Sequence, residues 1–294
     1  RRAVCGRTAR TVRREGRAKT RPYPYPEKKF SIFFVSFMDT IFLFVVFRGQ
    51  KPMKKALAAL SVVIGAVSLT VFTLFLFTGP FPLVDLPLGV AGGLVFDAGL
   101  CFVFFLQHSA MIRSGTRDRI RRWIPEHWFR ALFSLVSGAV LLAFVALWQE
   151  SPVLIASAEG IFRWLLRGVF FLALAGQIWM LRTLQEFDVF GAAALQRGNS
   201  PPPPAGEILT TGPYGWVRHP AYFTTLVMIW AYPDLTVDRV VLIFLFTVWI
   251  IAGTRLEERD LVAVHGQKYR AYQRAVPMLI PYRGPCRSKA PHKK

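Results

Sequence analysis

Long apolar runs separated by short polar loops set the pattern of this chain. Each run approaches the length of about 20 residues that an α-helix needs to cross a hydrocarbon core. Four runs predict spanning helices at residues 56–77, 88–110, 131–148 and 161–181. Two more runs, at 221–232 and 237–253, are separated by Pro233 and predict a helical hairpin whose first arm is too short to cross alone. Residues 255–275 then predict a polar helix.

The composition agrees with a membrane protein. Of the 294 residues, 53% are hydrophobic, and the mean hydropathy is +0.37. Soluble domains carry more charge and fewer aromatic residues than this chain does. We therefore predict an all-α fold, a multi-pass transmembrane helical bundle of five to six spans, with a helical hairpin before a C-terminal cytoplasmic helix.

The formal net charge of +20 comes from basic residues in the loops that flank the apolar runs. Such residues collect on the cytoplasmic side of membrane proteins. This rule places the basic segments 113–130 and 182–218 and the C-terminal segment in the cytoplasm, and the loops at 78–87 and 149–160 on the other side. We expect a bacterial inner membrane, with membrane lipids as partners. Nucleic acid is not expected as a partner, because no separate basic module is present.

The first part of the chain differs from the rest. Residues 1–29 are rich in Arg and Pro without apolar periodicity, which predicts disorder. The run at 30–47 would form an extra helix or be translated upstream sequence, and Met53 before an apolar run is typical of a genuine start. We assign residues 1–52 to this basic tract, 53–282 to the membrane domain and 283–294 to a basic tail.

Candidate chemistry concentrates in residues 209–222. Glycines and a proline there predict turns, and aromatic side chains offer flat faces to a heteroaromatic ring or a sulfonium cation. Arg218 can anchor a carboxylate, and His219 can donate a hydrogen bond or accept a proton. A juxtamembrane loop with an interfacial aromatic belt is the competing interpretation. The three cysteines, Cys5, Cys101 and Cys286, form no CxxC pair and predict neither a disulfide framework nor a metal site.

Three further groups of polar residues lie beside or within the apolar runs. Glu257 and Glu258 follow the last run and could bind ribose hydroxyls or attract a cation. In the second predicted span, Asp97 and His108 share a helical face with Cys101 and Phe104, which indicates a cavity-lining or interfacial role. The segment 186–191 carries two carboxylates that could bind a ligand or cap a helix.

The order of these motifs resembles a known family, the integral-membrane methyltransferases of the isoprenylcysteine carboxyl methyltransferase type. Within that group the chain is similar to bacterial methanethiol S-methyltransferases. The resemblance covers roughly residues 53–282 and is carried by the segments 211–222, 257–261, 265–272 and 276–277, and for the closer likeness also by 106–111, 125–128 and 187–191.

The resemblance implies S-adenosylmethionine as the methyl donor. Carried over onto this sequence, the cofactor-binding positions are Ile208, Leu209, Tyr214, His219, Pro220, Ala221, Tyr222 and Glu257. Arg218 and Glu258 join them as neighbouring charged groups of the same motifs. The prenylcysteine enzymes carry an Arg four residues before the Glu, where this chain has Gly253, and Arg255 is the nearest substitute.

The sequence thus predicts methyl transfer to a small thiol, methanethiol giving dimethyl sulfide, at the cytoplasmic face. Catalytic roles are expected for His219, His108 and Arg255, with either histidine as the base that deprotonates the thiol. Other classes of membrane enzyme stay open. They are a prenylcysteine or protein carboxyl O-methyltransferase, a phospholipid N-methyltransferase with a lipid-like substrate, and a related reductase. The alternative outside enzymes is a membrane accessory or transport protein with a degenerate site.

Overall fold

The computed structural model describes residues 51–81, 83–184, 188–197 and 208–286. Its elements are α1 (Lys51–Thr78), α2 (Gly89–Ile112), α3 (Ser114–Arg121), α4 (Glu126–Leu147), β1 (Leu154–Ser157), α5 (Gly160–Thr183), α6 (Ala192–Arg197), a 3-10 turn (Gly212–Gly215), α7 (Pro220–Trp230), β2 (Asp234–Thr236), α8 (Val237–His265) and α9 (Gln267–Ala275). Within the described ranges, α1, α2, α4, α5 and α8 are long and apolar enough to cross a membrane. The predicted all-α multi-pass bundle is confirmed.

Two predicted boundaries were wrong. The last apolar run does not end its helix at residue 253, because α8 continues through the charged motif to His265 and breaks only at Gly266, where φ is 56°. Helical hydrogen bonding does not depend on hydrophobicity, so the helix outlasts its apolar section. The predicted loop at 149–160 contains β1, which pairs with β2 in an antiparallel ribbon.

Several predictions concern segments outside the described residues. They are the disordered tract at 1–29, the apolar run at 30–47 and the Glu186 carboxylate. The other carboxylate of segment 186–191 does lie within the structure. The Asp188 carboxylate accepts a hydrogen bond of 2.5 Å from the Ala194 backbone N–H, in the first turn of α6. This contact makes Asp188 a capping residue.

Aromatic rings fill the centre of the bundle. Phe75 of α1, Phe105 of α2, Phe144 of α4 and Phe246 of α8 belong to one buried cluster. The ring of Phe105 stacks on that of Trp249 with centroids 4.4 Å apart. Because side chains from four spans interdigitate here, the cluster fixes the positions of α2 and α8 relative to each other.

The helices α1 and α4 approach each other closely at two glycines. A Cβ atom at Gly138 would lie 2.8 Å from Ile64 Cγ2, and one at Gly65 would lie 2.8 Å from Ser134 Oγ on α4. Beside them, the Ser134 hydroxyl donates a 3.1 Å hydrogen bond to the Ser61 carbonyl. Small residues and hydroxyl hydrogen bonds are the usual means of packing helices within a bilayer.

Three loops carry no basic residues and meet at one end of the bundle. They are the loops at 78–87, 149–160 and 233–236. β1 pairs with β2, and the Gln149 side chain bonds the backbone of Val84 and Leu86 at 3.0 and 2.9 Å. The loop before α7 and the charged end of α8, which carry the two motif stretches, meet at the other end of the bundle through Arg218 and Glu258.

Two charged residues at this loop end, Asp238 and Arg239, are buried and contact specific partners. Asp238, in the first turn of α8, accepts hydrogen bonds from Trp148 Nε1 at 3.0 Å and from the Ser151 backbone N–H at 3.1 Å. Arg239 lies between the rings of Phe75 and Tyr232, 4.7 and 4.2 Å from their centroids, and donates to the Phe75 carbonyl at 2.7 Å. A cation at the C-terminus of α1 offsets the partial negative charge of the helix end.

The Trp148–Asp238 hydrogen bond predicts a measurable stability effect. Trp148→Phe keeps most of the ring volume but leaves a buried carboxylate oxygen without its donor, so we expect a loss of about 2 kcal/mol. The control is Trp230→Phe, since Trp230 is 59% exposed and its hydrogen bond to Thr247 is 3.2 Å long. Denaturant unfolding in detergent measures both variants, and equal midpoints for the two would contradict the prediction.

Candidate functional site

An ion pair joins the two motif segments, 209–222 and 257–261, at the basic end of the bundle. The Arg218 Nε atom, just before α7, donates a 2.5 Å hydrogen bond to Glu258 Oε1 on α8. Both side chains are nearly buried, with 8% and 11% of their surface exposed. Gln273 of α9 donates to the second carboxylate oxygen at 2.9 Å. A buried carboxylate with charged and neutral donors on both oxygens is a fixed part of the structure.

Arg218 also holds the C-terminal segment. Its Nη1 atom donates to the carbonyls of Gln273, at 2.9 Å, and Val276. Its backbone N–H donates to the Pro277 carbonyl at 2.9 Å. With these donors engaged, Arg218 and Glu258, both predicted to bind cofactor, support the site by positioning the loop, α8 and α9.

His219 lies at the centre of the remaining polar groups. It is the residue before α7, and only 5% of its side chain is exposed. Its Nε2 atom is 3.3 Å from Glu258 Oε1, and its Nδ1 atom is 3.7 Å from Glu257 Oε2. Its ring stacks on Tyr222 with centroids 5.7 Å apart. Since Glu258 needs a donor at Nε2, the geometry favours the tautomer that carries its proton there, which leaves Nδ1 as an acceptor.

Burial controls the charge of His219. Desolvation lowers its pKa from the ordinary 6.5, against the opposing effect of the nearby Glu257 and Glu258 carboxylates, and the Arg218 guanidinium lowers it further. The imidazole is therefore neutral at pH 7. A neutral ring can accept a hydrogen bond at Nδ1, which a protonated ring cannot.

Glu257 provides the accessible carboxylate of the site. Its side chain is 46% exposed, in contrast to the buried Glu258 next to it. Tyr222 interacts with this carboxylate through its hydroxyl. Burial, followed by the negative charge of Glu257, raises the pKa of Tyr214 to about 12, so this phenol stays neutral and close to the same carboxylate. One exposed anion thus faces two aromatic rings and a histidine.

The C-terminal segment covers the 3-10 turn from the other side. The Tyr272 hydroxyl donates to the Tyr214 carbonyl at 2.6 Å, and the Cys286 backbone N–H donates to the Gly215 carbonyl at 2.9 Å. A Cβ atom at Gly215 would lie 3.1 Å from the Cys286 carbonyl oxygen, so only glycine fits this approach without displacement. At Gly212 the backbone φ of 60° is one that glycine adopts readily.

The other predicted cofactor positions surround this turn. Ile208 packs against the buried cluster of Tyr269, Tyr272 and Val276. Pro220 is buried as the first residue of α7, and Leu209 and Ala221 are half-buried. The structure thus brings the predicted cofactor residues of both motifs to one end of the bundle.

His108 lies apart from this group, deeper in the bundle. Its ring is surrounded by those of Phe104, Phe133 and Trp249, with centroids 5.4, 5.2 and 5.6 Å away. Its Nδ1 atom is buried and has no hydrogen-bond partner among the described residues. Trp249 precedes Glu257 by eight residues on α8, a distance of about 12 Å along the helix. His108 is therefore on the membrane side of the cofactor group.

Arg255 does not join either group. It is exposed on α8, and its side chain forms no hydrogen bond with another residue of the described ranges. Two positions separated by two residues on an α-helix point about 200° apart. Arg255 therefore points away from the face that carries Glu257, and the structure offers no contact that supports its predicted catalytic role.

Sequence reasoning did not single out Gln273, Tyr272 and Trp249. Gln273 bonds Glu258, Tyr272 bonds the 3-10 turn, and Trp249 contacts His108. The first two lie in a polar helix whose composition suggested only a solvated surface. Tyr272 belongs to the segment 265–272 that carries the resemblance, and Gln273 follows it directly, but only the turn at Gly266 brings α9 back against the loop.

Comparisons with known proteins agree with the motif order. The family model described as "Protein of unknown function (DUF1295)" matches residues 114–276. The methanethiol S-methyltransferase of Pseudomonas deceptionensis is 34% identical over 190 residues, which cover 64% of this chain and 72% of that protein. The enzyme of the same name from Crocosphaera subtropica is 33% identical over 205 residues, 65% of this chain and 76% of that protein.

A more distant relative is the Nurim protein of Xenopus laevis, 27% identical over 188 residues, 58% of this chain and 63% of its own. No solved structure matches the chain.

The Arg218 contacts predict that lysine cannot replace this arginine. Arg218→Lys keeps the charge but loses the planar fork that bonds Glu258 and two carbonyls at once, so we expect about 2 kcal/mol lower stability. Arg255→Lys, at an exposed position of α8, should change stability by less than about 0.5 kcal/mol. Thermal unfolding in detergent gives both values. An Arg218→Lys protein as stable as the control would contradict the structural role of the Arg218 contacts.

The lowered pKa of His219 predicts a pH dependence with a defined sign. Below pH 6.5, the ordinary pKa of histidine, His219 is protonated in the unfolded protein but still neutral in the folded protein. Stability therefore falls as the pH drops. The slope from this group is at most about 1.4 kcal/mol per pH unit. His219→Asn should flatten the unfolding free energy between about pH 7 and pH 5.5 relative to wild type. If the unfolding free energies of the two proteins changed equally with pH, this role of His219 would be contradicted.

Proposed function

This chain belongs to the family described as "Protein of unknown function (DUF1295)", and we propose that it is a membrane methyltransferase that uses S-adenosylmethionine to methylate a small thiol. The observation that carries the proposal is the meeting of two distant motifs, in which His219 and Tyr222 of one lie beside Glu257 of the other. Relatives that are 33–34% identical to it over about two thirds of this chain are named methanethiol S-methyltransferases.

The residues of the site fit this cofactor. S-adenosylmethionine carries a positively charged sulfur, ribose hydroxyls and an adenine ring, and when bound it supplies the methyl group. The exposed Glu257 carboxylate suits hydroxyl donors and positive charge, and the rings of Tyr214 and Tyr222 suit an aromatic or cationic partner. His219 Nδ1 is available as a hydrogen-bond acceptor. We assign Ile208, Leu209, Pro220 and Ala221 to the walls of this cofactor half.

The acceptor half is assigned to the region of His108. A thiol reacts as its thiolate, so the site needs a group that accepts a proton. His108 Nδ1 is buried and unpaired within the described residues, and the aromatic rings around it exclude water. His219 contacts two carboxylates and orients the cofactor half, so His108 is the better candidate for the base. The protein's main contribution is then alignment and water exclusion.

The acceptor is proposed to be small and uncharged. Arg255 points away from the site, and position 253 is a glycine, so no described cation lies ready for a carboxylate acceptor on this part of α8. This arrangement favours methanethiol over a prenylcysteine carboxylate. By the positive-inside rule, the basic loops place the site at the cytoplasmic face, in a bacterial inner membrane, where soluble cofactor is available.

A direct assay tests the proposal. Membranes that contain the full chain receive methyl-labelled S-adenosylmethionine together with methanethiol, phospholipid or prenylcysteine as acceptor. Labelled dimethyl sulfide in the headspace is the expected product. Label only in lipid or prenylcysteine would replace the thiol by that acceptor, and cofactor binding without any product would support an accessory protein.

The cofactor half predicts the effect of removing one charge. Glu257→Gln should weaken binding of labelled S-adenosylmethionine at least tenfold, or about 1.4 kcal/mol, because the accessible carboxylate is lost. Glu159→Gln removes an exposed carboxylate just before α5, at the opposite end of the bundle, and should bind as wild type does. Equilibrium binding in detergent measures both. Unchanged affinity in Glu257→Gln would remove this residue from the cofactor half.

A further inference from the structure

An open space on α8 lies between the two halves of the site. Trp249, Gly253 and Glu257 follow one another at intervals of four residues, so they share a stripe that turns by only about 80° over its length. Trp249 contacts His108 at one end of the stripe, and Glu257 lies beside His219 at the other. Gly253 is one helical turn, about 6 Å, from each.

No described atom occupies the place where a side chain at position 253 would begin. A Cβ atom built on Gly253 meets nothing within 4 Å, although the residue is half-buried. At Gly138, by contrast, a Cβ would collide with Ile64 on a neighbouring helix. Close helix packing therefore does not explain the glycine at 253, and a helix interior favours alanine over glycine.

We propose that the space beside Gly253 holds the methyl acceptor and that the missing side chain sets the size of thiol that can react. This inference rests on the proposed function and adds a specificity-determining residue to it. The His108 ring contacts Trp249, one helical turn from Gly253 on the membrane side, and its Nδ1, unpaired among the described residues, is the group proposed to receive the thiol proton. The cofactor half lies at the other end. An acceptor in between is within one helical turn of both.

The lining of the space selects the chemistry of the acceptor. Trp249, one helical turn from Gly253, offers an aromatic ring, and the Ser109 hydroxyl is already engaged because it accepts a 3.0 Å hydrogen bond from Trp249 Nε1. Arg255 lies about 200° around the helix from Gly253. A neutral thiol with a short alkyl chain fits these surroundings, and a charged acceptor would lose its hydration without gaining a partner.

Substitutions of increasing size test the inference. Gly253→Ala and Gly253→Leu should lower kcat/KM for methanethiol progressively, with at least a tenfold loss for leucine, while labelled S-adenosylmethionine binds as in wild type. The loss should be larger for propanethiol than for methanethiol, because a filled space excludes the longer chain first. A merely structural defect would lower the values for both thiols by the same factor.

The matched control is Gly168→Leu on α5. Gly168 is also a helical glycine with nothing within 4 Å of its Cβ position, but it lies on an exposed face away from α8. This variant should keep wild-type kinetics with both thiols.

The two proposals fail in different ways. Wild-type protein that makes no thioether from any thiol overturns the proposed function. Wild-type protein that methylates thiols, together with Gly253→Leu that keeps kcat/KM within twofold or loses cofactor binding in parallel, overturns the acceptor space alone.

Discussion

The buried Arg218–Glu258 ion pair is the interaction on which the rest of the site depends. It joins the loop before α7, the end of α8 and, through Gln273, the following helix α9. Burying two charges is costly unless both are paired and hydrogen-bonded, and here each has further partners. Because these two residues are occupied with each other, the neighbouring His219 and Glu257 remain free to face a ligand.

A second group of buried charges organises the opposite end of the bundle. Asp238 is held by the Trp148 indole and a backbone N–H, and Arg239 caps the carbonyls at the end of α1. Both contacts satisfy polar groups that a bilayer cannot solvate. They also fix the start of α8, so that the aromatic cluster in the middle aligns α8 with α2. The stripe from Trp249 to Glu257 derives its position from this alignment.

The bundle thus separates two kinds of chemistry along one helix. The membrane half of α8 presents aromatic rings to His108, and its end presents carboxylates to His219. A reaction between a soluble charged donor and an apolar acceptor needs both environments within one helical turn of a common point. Gly253 lies at that point, so the proposed reaction depends on a position that has no side chain.

The sequence by itself determined the membrane class, a range of five to six spans and the identity of the motif residues, because hydrophobic length and local motif spacing are properties of consecutive residues. It also indicated that Asp97, Cys101 and Phe104 share a buried face. Tertiary structure decided which charged residues pair and which stay accessible. Glu257 and Glu258 are adjacent and chemically alike, yet one is 46% and the other 11% exposed, because only the helix direction and the position of Arg218 distinguish them.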